Sequence, residues 1–234
     1  MIVSALVEPC SLATVEGRDL SRSCCVVFDV LRATTTMVTG LERGVLGFEP
    51  VLTVAEAEAR RREGVILGGE RGGERIEGFD AGNSPLEYDV HRGKHVVMTT
   101  TNGTRALRAV AGAGRVYAAG VVNLGATVES VRESGFDEVL LVCAGTGEGL
   151  ALEDVWAAGR MAERLAGVSR GDGVQAAMLV SRGFRDALSA LEASTNGRVL
   201  LGKGRRAEVE WAARVDVIQG VAVMEDGVVR RFGG

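Results

Sequence analysis

The residues able to do chemistry gather where apolar runs stop. Val26–Val30 is a strand-like run interrupted by Asp29, and a buried carboxylate without a partner is costly, so Asp29 calls for a hydrogen-bonding partner or a metal ion. Arg32 and Thr34-Thr35-Thr36 follow. Val96–Met98 runs in the same way into Thr99-Thr100-Thr101-Asn102-Gly103-Thr104, and Val139–Val142 into Cys143-Ala144-Gly145-Thr146-Gly147. In a parallel sheet such strand ends lie along one edge, where open α/β sheets bind ligands. Hydroxyls and free N–H groups at helix N-termini attract anions. Arg32 adds a planar donor fork suited to phosphate, sulfonate or carboxylate. The alternative is that these hydroxyls only cap helices. A nucleotide site is disfavoured, because neither G-x-x-x-x-G-K-[ST] nor a complete G-x-G-x-x-G occurs.

Further acids stand at other turns: Glu70 in Gly68-Gly69-Glu70-Arg71-Gly72-Gly73, Asp80 in Gly78-Phe79-Asp80-Ala81, and Glu153-Asp154 at a helix start. Hard oxygen ligands on several turn ends suit Mg²⁺, which takes one or two carboxylates and completes its shell with water and substrate oxygens. Glu153 and Asp154 are also explained as first-turn acids facing the helix dipole, and Glu70 as a partner of Arg71 or Arg75. Covalent catalysis has less support. The two histidines, His91 and His95, give a Ser-His-Asp triad little to work with. Cys143 at a helix start would be an activated thiol, but Gly149 stands where C-x₅-R needs arginine, so it reads as a small buried cysteine. Asp29-Val30-Leu31-Arg32-Ala33 approaches D-x-D-x-[TV], with Leu31 in place of the second acid.

The elements that must carry these residues alternate. Strands are expected at Cys24–Val30, Val65–Leu67, His95–Thr99, Val116–Ala119 and Glu138–Cys143. Helices are expected at about Thr34–Arg43, Ala55–Glu63, Thr104–Ala111, Ala126–Glu133 and Leu152–Ala166. Thr53 and Glu56 form a capping box, and Gly44 and Gly64 close helices. Gly68–Ser84 is too glycine-rich for regular structure and reads as a binding loop or lid, with a flexible surface loop as the alternative, ending in Ser84-Pro85-Leu86-Glu87, a capping box with proline at the first helical position. Gly173–Ala193 and Arg205–Arg214 look helical, and Val221–Met224 with Val228–Phe232 form a hairpin at a sheet edge. The order predicts a three-layer α/β/α fold with a mainly parallel, mixed sheet, as one domain over 1–234 or two intimately packed α/β halves.

Composition excludes several classes. The chain has 234 residues, 46% of them apolar and 25% charged, enough for a large core without disulfides. Thirty-three glycines against three prolines mark frequent close turns rather than a repeat. The net charge of −4, with 27 basic and 31 acidic residues, offers no cationic footprint for nucleic acid. Four cysteines, Cys10, Cys24, Cys25 and Cys143, lack zinc or disulfide spacing. Met1–Val7 meets Glu8 too soon for a signal peptide, and no run of about 18 apolar residues exists. The expectation is a reduced cytoplasmic protein with no membrane partner.

Residues 26–154 resemble the 2-phosphosulfolactate phosphatase family. The resemblance lies in Val26-Val27-Phe28-Asp29-Val30-Leu31-Arg32-Ala33-Thr34-Thr35-Thr36, Gly68-Gly69-Glu70-Arg71-Gly72 and Ile76-Glu77-Gly78-Phe79-Asp80-Ala81-Gly82-Asn83-Ser84-Pro85-Leu86-Glu87-Tyr88. Thr99-Thr100-Thr101-Asn102-Gly103-Thr104, Val142-Cys143-Ala144-Gly145-Thr146-Gly147 and Leu152-Glu153-Asp154 complete it. It implies a Mg²⁺-dependent phosphomonoesterase, acting as in coenzyme M biosynthesis, that hydrolyses 2-phospho-3-sulfolactate to 3-sulfolactate and phosphate, and a homo-oligomer, as a dimer. On this reading Asp29, Arg32 and Glu70 are catalytic, and Asp29, Glu70 and Asp154 hold the metal. Thr34, Thr35, Thr36, Arg71, Asn83, Ser84, Thr101, Asn102, Gly103, Thr104, Cys143 and Gly145 bind the small anionic phosphorylated substrate. A metal-bound water is the expected nucleophile, with an Asp29 or Cys143 phospho-enzyme as the other route. A phosphatase of a related hydroxy-acid phosphate, or a non-catalytic anion-binding protein, remain as alternatives.

Overall fold

The computed structural model describes residues 1–15, 17–166, 168–169 and 171–233. The strands are β1 Ile2–Leu6, β2 Ser23–Phe28, β3 Gly47–Pro50, β4 Val65–Arg71, β5 Glu74–Arg75, β6 His95–Thr99, β7 Arg115–Ala119, β8 Glu138–Cys143, β9 Val168–Ser169, β10 Ala222–Glu225 and β11 Val228–Arg231. The helices are α1 Ala33–Glu42, α2 Val54–Glu58, α3 Gly103–Ala109, α4 Leu124–Glu133, α5 Leu152–Leu165, α6 Asp172–Arg182, α7 Ala187–Ala193, α8 Thr195–Gly202 and α9 Arg206–Ala212. All the strands join one sheet in the order β5-β4-β6-β3-β11-β10-β7-β2-β8-β1-β9. This is an α/β fold with a large, mostly parallel mixed sheet flanked by helices.

Two parallel blocks, β4-β6-β3 and β7-β2-β8-β1-β9, are joined by the antiparallel hairpin β10–β11. The hairpin is therefore in the middle of the sheet and not at the edge expected for it. Its turn has Asp226 at φ 49° and Gly227 at φ 77°, the left-handed pair that a tight hairpin turn needs. Three antiparallel pairings in a row set the blocks running in opposite senses. The turns that follow β6 and β8 nevertheless meet: Asn102 Nδ2 donates to Ala144 O and Gly147 O at 3.0 Å each.

Strand β2 is buried along its whole length, as a parallel strand covered on both faces must be. Cys24, Val26 and Phe28 face a core with Tyr117, Leu141 and Met161 of α5. Cys25 and Val27 face the other side, with Met37 of α1, Phe48 and Leu107 of α3. α5 packs on α6 where Gly159 meets the backbone of Ala177, an approach that a Cβ would prevent.

Several local expectations are corrected. Gly68–Ser84 is partly regular, because β4 extends to Arg71 and turns back as β5. Ser84–Glu87 starts no α-helix: Glu87 Oε2 accepts Gly82 N instead. α2 stops at Glu58, and Gly173–Ala193 is two helices, restarted by Asp186, which accepts the Ser189 N–H at 2.8 Å. β1, β3 and α8 were not foreseen. Among the described residues no helix is long and apolar enough to cross a membrane.

Candidate active site

A cavity of about 260 Å³ opens where the two blocks of strand ends meet. Asp29, Arg32, Glu70, Asn83, Thr101, Asn102 and Gly145 line it, so these sequence-predicted residues come together from five separate segments of the chain. Asp29 follows β2 directly. Its Oδ1 accepts the Ala33 N–H at 3.0 Å, and its carbonyl accepts the Thr34 N–H. Burial pushes its carboxyl up to about 7, against the Ala33 bond, with Glu70 and Glu153 raising it further and Arg32 lowering it. Glu70 ends β4. One of its oxygens accepts both N–H and O–H of Thr101, at 2.8 and 2.9 Å, and the other accepts Gly73 N at 2.8 Å. Arg32 is 5% exposed and has Nη1 on Glu208 at 2.6 Å and Nη2 on Gly73 O at 2.9 Å.

The threonine reading is corrected. Thr34 Oγ donates to Ala119 O, Thr35 Oγ to Val30 O and Thr36 Oγ to Asn83 O. All three residues are buried, and their hydroxyls staple α1 to backbone carbonyls of the segments around it instead of facing the cavity. The Ala33 and Thr34 N–H groups at the start of α1 are likewise taken by Asp29, through its Oδ1 and its carbonyl. Thr104 is turned to Thr100 O, and Arg71 to Thr99 Oγ1 at 2.9 Å. Ser84 is buried and its hydroxyl accepts Leu86 N at 3.3 Å. Gly103 packs on Asp29 from behind, where a side chain would not fit.

Asp154 does not face the cavity. Its two oxygens accept Val30 N at 2.8 Å and Gly145 N at 3.1 Å, tying the turn after β2 to the turn after β8. Burial raises its carboxyl well above the usual range, and Glu153 and Asp29 add to this. Cys143 is fully buried, burial pushes its thiol far up, and it is not among the residues lining the cavity, which speaks against it as a substrate contact and a nucleophile. Asp80 is exposed and accepts Leu67 N.

Other lining residues carried no signal in the sequence. Asn196, Val199 and Leu200 of α8 form one wall. Asn196 Nδ2 donates to Thr146 Oγ1 and Glu153 Oε1, both at 2.7 Å. Only their position after the third helix-opening turn pointed to Thr146 and Gly147. Among the described residues two buried side-chain oxygens lack partners, Asn83 Oδ1 and Glu153 Oε2, and Asn83 lines the cavity. Among the described residues no three His, Cys, Asp or Glu side chains cluster as a ready-made metal cage. Mg²⁺ does not need one, since it is held by one or two carboxylates with water and substrate oxygens. Asp29 and Glu70 fit that requirement, and Asn83, whose buried Oδ1 has no partner, lines the same cavity.

A family model described as 2-phosphosulpholactate phosphatase matches residues 11–227. A probable 2-phosphosulfolactate phosphatase of Thermotoga petrophila is 38% identical over 230 residues, covering 97% of each chain. A similarly named protein of Deinococcus radiodurans is 40% identical over 210 residues, 86% of this chain and 88% of its own. Another, of Caldicellulosiruptor saccharolyticus, is 38% identical over 225 residues, 91% of this chain and 93% of its own.

Proposed function

The chain belongs to the 2-phosphosulfolactate phosphatase family and is a phosphoric monoester hydrolase, and on that premise we propose that it hydrolyses 2-phospho-3-sulfolactate to 3-sulfolactate and phosphate with Mg²⁺, the reaction type of coenzyme M biosynthesis. The observation that carries the metal requirement is electrostatic. Two carboxylates, Asp29 and Glu70, line the same cavity as Asn83 and Arg32, and because the Arg32 charge is already paired with Glu208, a polyanionic substrate would be repelled by such a lining without a further cation.

Asp29 and Glu70 would hold Mg²⁺, which when bound would offset their charge and draw electron density from the phosphoryl oxygens. The chain's own residues do the remaining work. Arg32 donates charge-assisted hydrogen bonds to substrate oxygens from the N–H groups that Glu208 and Gly73 leave free. Glu70 fixes Thr101, and Asn102 locks the second turn against the third, so donors around the reacting group are positioned before the substrate arrives. Water attacks phosphorus and forms the new P–O bond as the ester P–O bond breaks, and one of the water's protons passes to the leaving alkoxide, giving 3-sulfolactate and phosphate. The Gly145–Gly147 turn and Asn196 form the polar wall beside the substrate, and Val199 and Leu200 the apolar one.

Phosphate release from 2-phosphosulfolactate, measured with Mg²⁺ and with excess chelator, tests this reading. Metal-dependent release that Asp29→Asn abolishes in folded protein supports it. Full activity in chelator, or in Asp29→Asn, overturns the metal assignment.

A further inference from the structure

Besides the α8 wall, the C-terminal third of the chain reaches the cavity through a buried ion pair. Glu208 lies in the first turn of α9, and its Oε2 stands 2.6 Å from Arg32 Nη1, with the two side chains only 12% and 5% exposed. The other end of the Arg32 fork is fixed by Gly73 O at 2.9 Å. That carbonyl is shared with Arg205 Nη1 at 2.9 Å. The guanidinium plane is thus set by one partner from α9 and one from the β4–β5 turn, and its remaining donors are left for the cavity it lines.

We propose that Glu208 is a positioning residue for catalysis, holding the Arg32 guanidinium in the orientation that binds the substrate's anionic oxygens. This rests on the reading of Arg32 as a substrate contact. A buried ion pair of this kind adds little to stability compared with an apolar pair of the same size, but it costs much when one member is removed. A guanidinium with five donors in a rigid plane gains specificity only if that plane is held. Arg32 has long rotatable bonds, and a displacement of about 1 Å at a substrate-contacting group lowers turnover by as much as about 100-fold.

The test is a double-mutant cycle on kcat/KM for 2-phosphosulfolactate with Mg²⁺, using Glu208→Gln, Arg32→Ala and the pair. Glu208→Gln keeps the shape and one hydrogen bond, and circular dichroism and thermal melting establish that each variant is folded. The expected result is a loss of about 10- to 100-fold in Glu208→Gln, and no further loss when it is added to Arg32→Ala. A role confined to folding would lower kcat/KM by the same factor in both backgrounds, and that result overturns the proposal. Wild-type kcat/KM in Glu208→Gln beside a crippled Arg32→Ala also overturns it. Unchanged activity in Arg32→Ala would instead overturn the role given to Arg32 itself, and the proposal with it. Should either single variant fail to fold, Glu208→Asp replaces the glutamine: it keeps the charge but shortens the reach, and a wild-type kcat/KM there overturns the proposal.

Discussion

Gly103→Ala is the perturbation that most sharply separates a placed Asp29 from a merely buried one. A Cβ at position 103 would overlap Asp29 Oδ2 and stand 2.6 Å from the Ala33 Cβ. Ordinary contact begins near 3.4 Å, so Asp29 or the start of α1 must give way by roughly 1 Å. α1 is buried along nearly its whole length and is stapled by three threonine hydroxyls, so the Asp29 carboxylate is the part able to move. Alanine is favoured over glycine in helices by at most about 1 kcal/mol, whereas overpacking costs about 1–3 kcal/mol. The net effect is a destabilisation of about 0–2 kcal/mol, which leaves a folded protein. The effect on turnover is larger, a fall of up to about 100-fold in kcat from a misplacement of about 1 Å. Urea denaturation and phosphate release on the same preparation measure both. Wild-type kcat in a folded Gly103→Ala protein would show that the position of Asp29 is immaterial, and would refute the reasoning.

Glu70→Gln removes one carboxylate from the cavity while keeping the acceptor for Thr101, so half-maximal activity should require at least about tenfold more Mg²⁺; an unchanged Mg²⁺ titration contradicts the assignment. Asp29 supplies a pH prediction. Its folded-state carboxyl is raised to about 7 from an unfolded value of about 3.9, so the folded state binds a proton the unfolded state has released. In metal-free protein this costs stability increasingly from about pH 4 to pH 7, and the cost is constant above that. Asp29→Asn should therefore raise the denaturation midpoint in chelator more at pH 8 than at pH 5, and an equal change at both contradicts the burial argument. Cys24 and Cys25 are pushed up to about 12 by burial, and Cys143 is raised as well, leaving Cys10 exposed. A thiol reagent should modify one cysteine per native chain without loss of activity; inactivation through Cys143 would reinstate it at the site.

The layered fold was legible because its signals are local. The apolar runs of β2, β6, β7 and β8 and the glycine closing α1 depend on neighbours in sequence, and their boundaries fall within one or two residues of those expected. The hairpin's Asp-Gly turn was equally local, but its place in the sheet was not, since nothing in residues 221–232 encodes the pairing of β11 with β3. β3 was hidden because Gly47 and Pro50 disguise a four-residue strand. At the site, Asp29, Arg32, Glu70 and Asn102 could be read from polar residues breaking apolar runs. The direction of the Thr34–Thr36 hydroxyls could not, because an anion and a backbone carbonyl suit the same side chain, and only packing decides between them. Glu208 and Asn196 carried no sequence signal. Each is an ordinary polar residue near a helix start, brought to the cavity by how α8 and α9 dock.

The most direct test of the central claim is the ratio of kcat/KM for 2-phosphosulfolactate to that for phospholactate and phosphoglycerate, measured with Mg²⁺ on one preparation. A cavity whose Arg32 and polar Thr146–Asn196 wall receive a doubly anionic partner of the phosphate should favour the sulfonate ester by at least about tenfold, or about 1.4 kcal/mol. Equal turnover of all three, or preference for the unsulfonated esters, would contradict the assigned substrate while leaving a phosphatase.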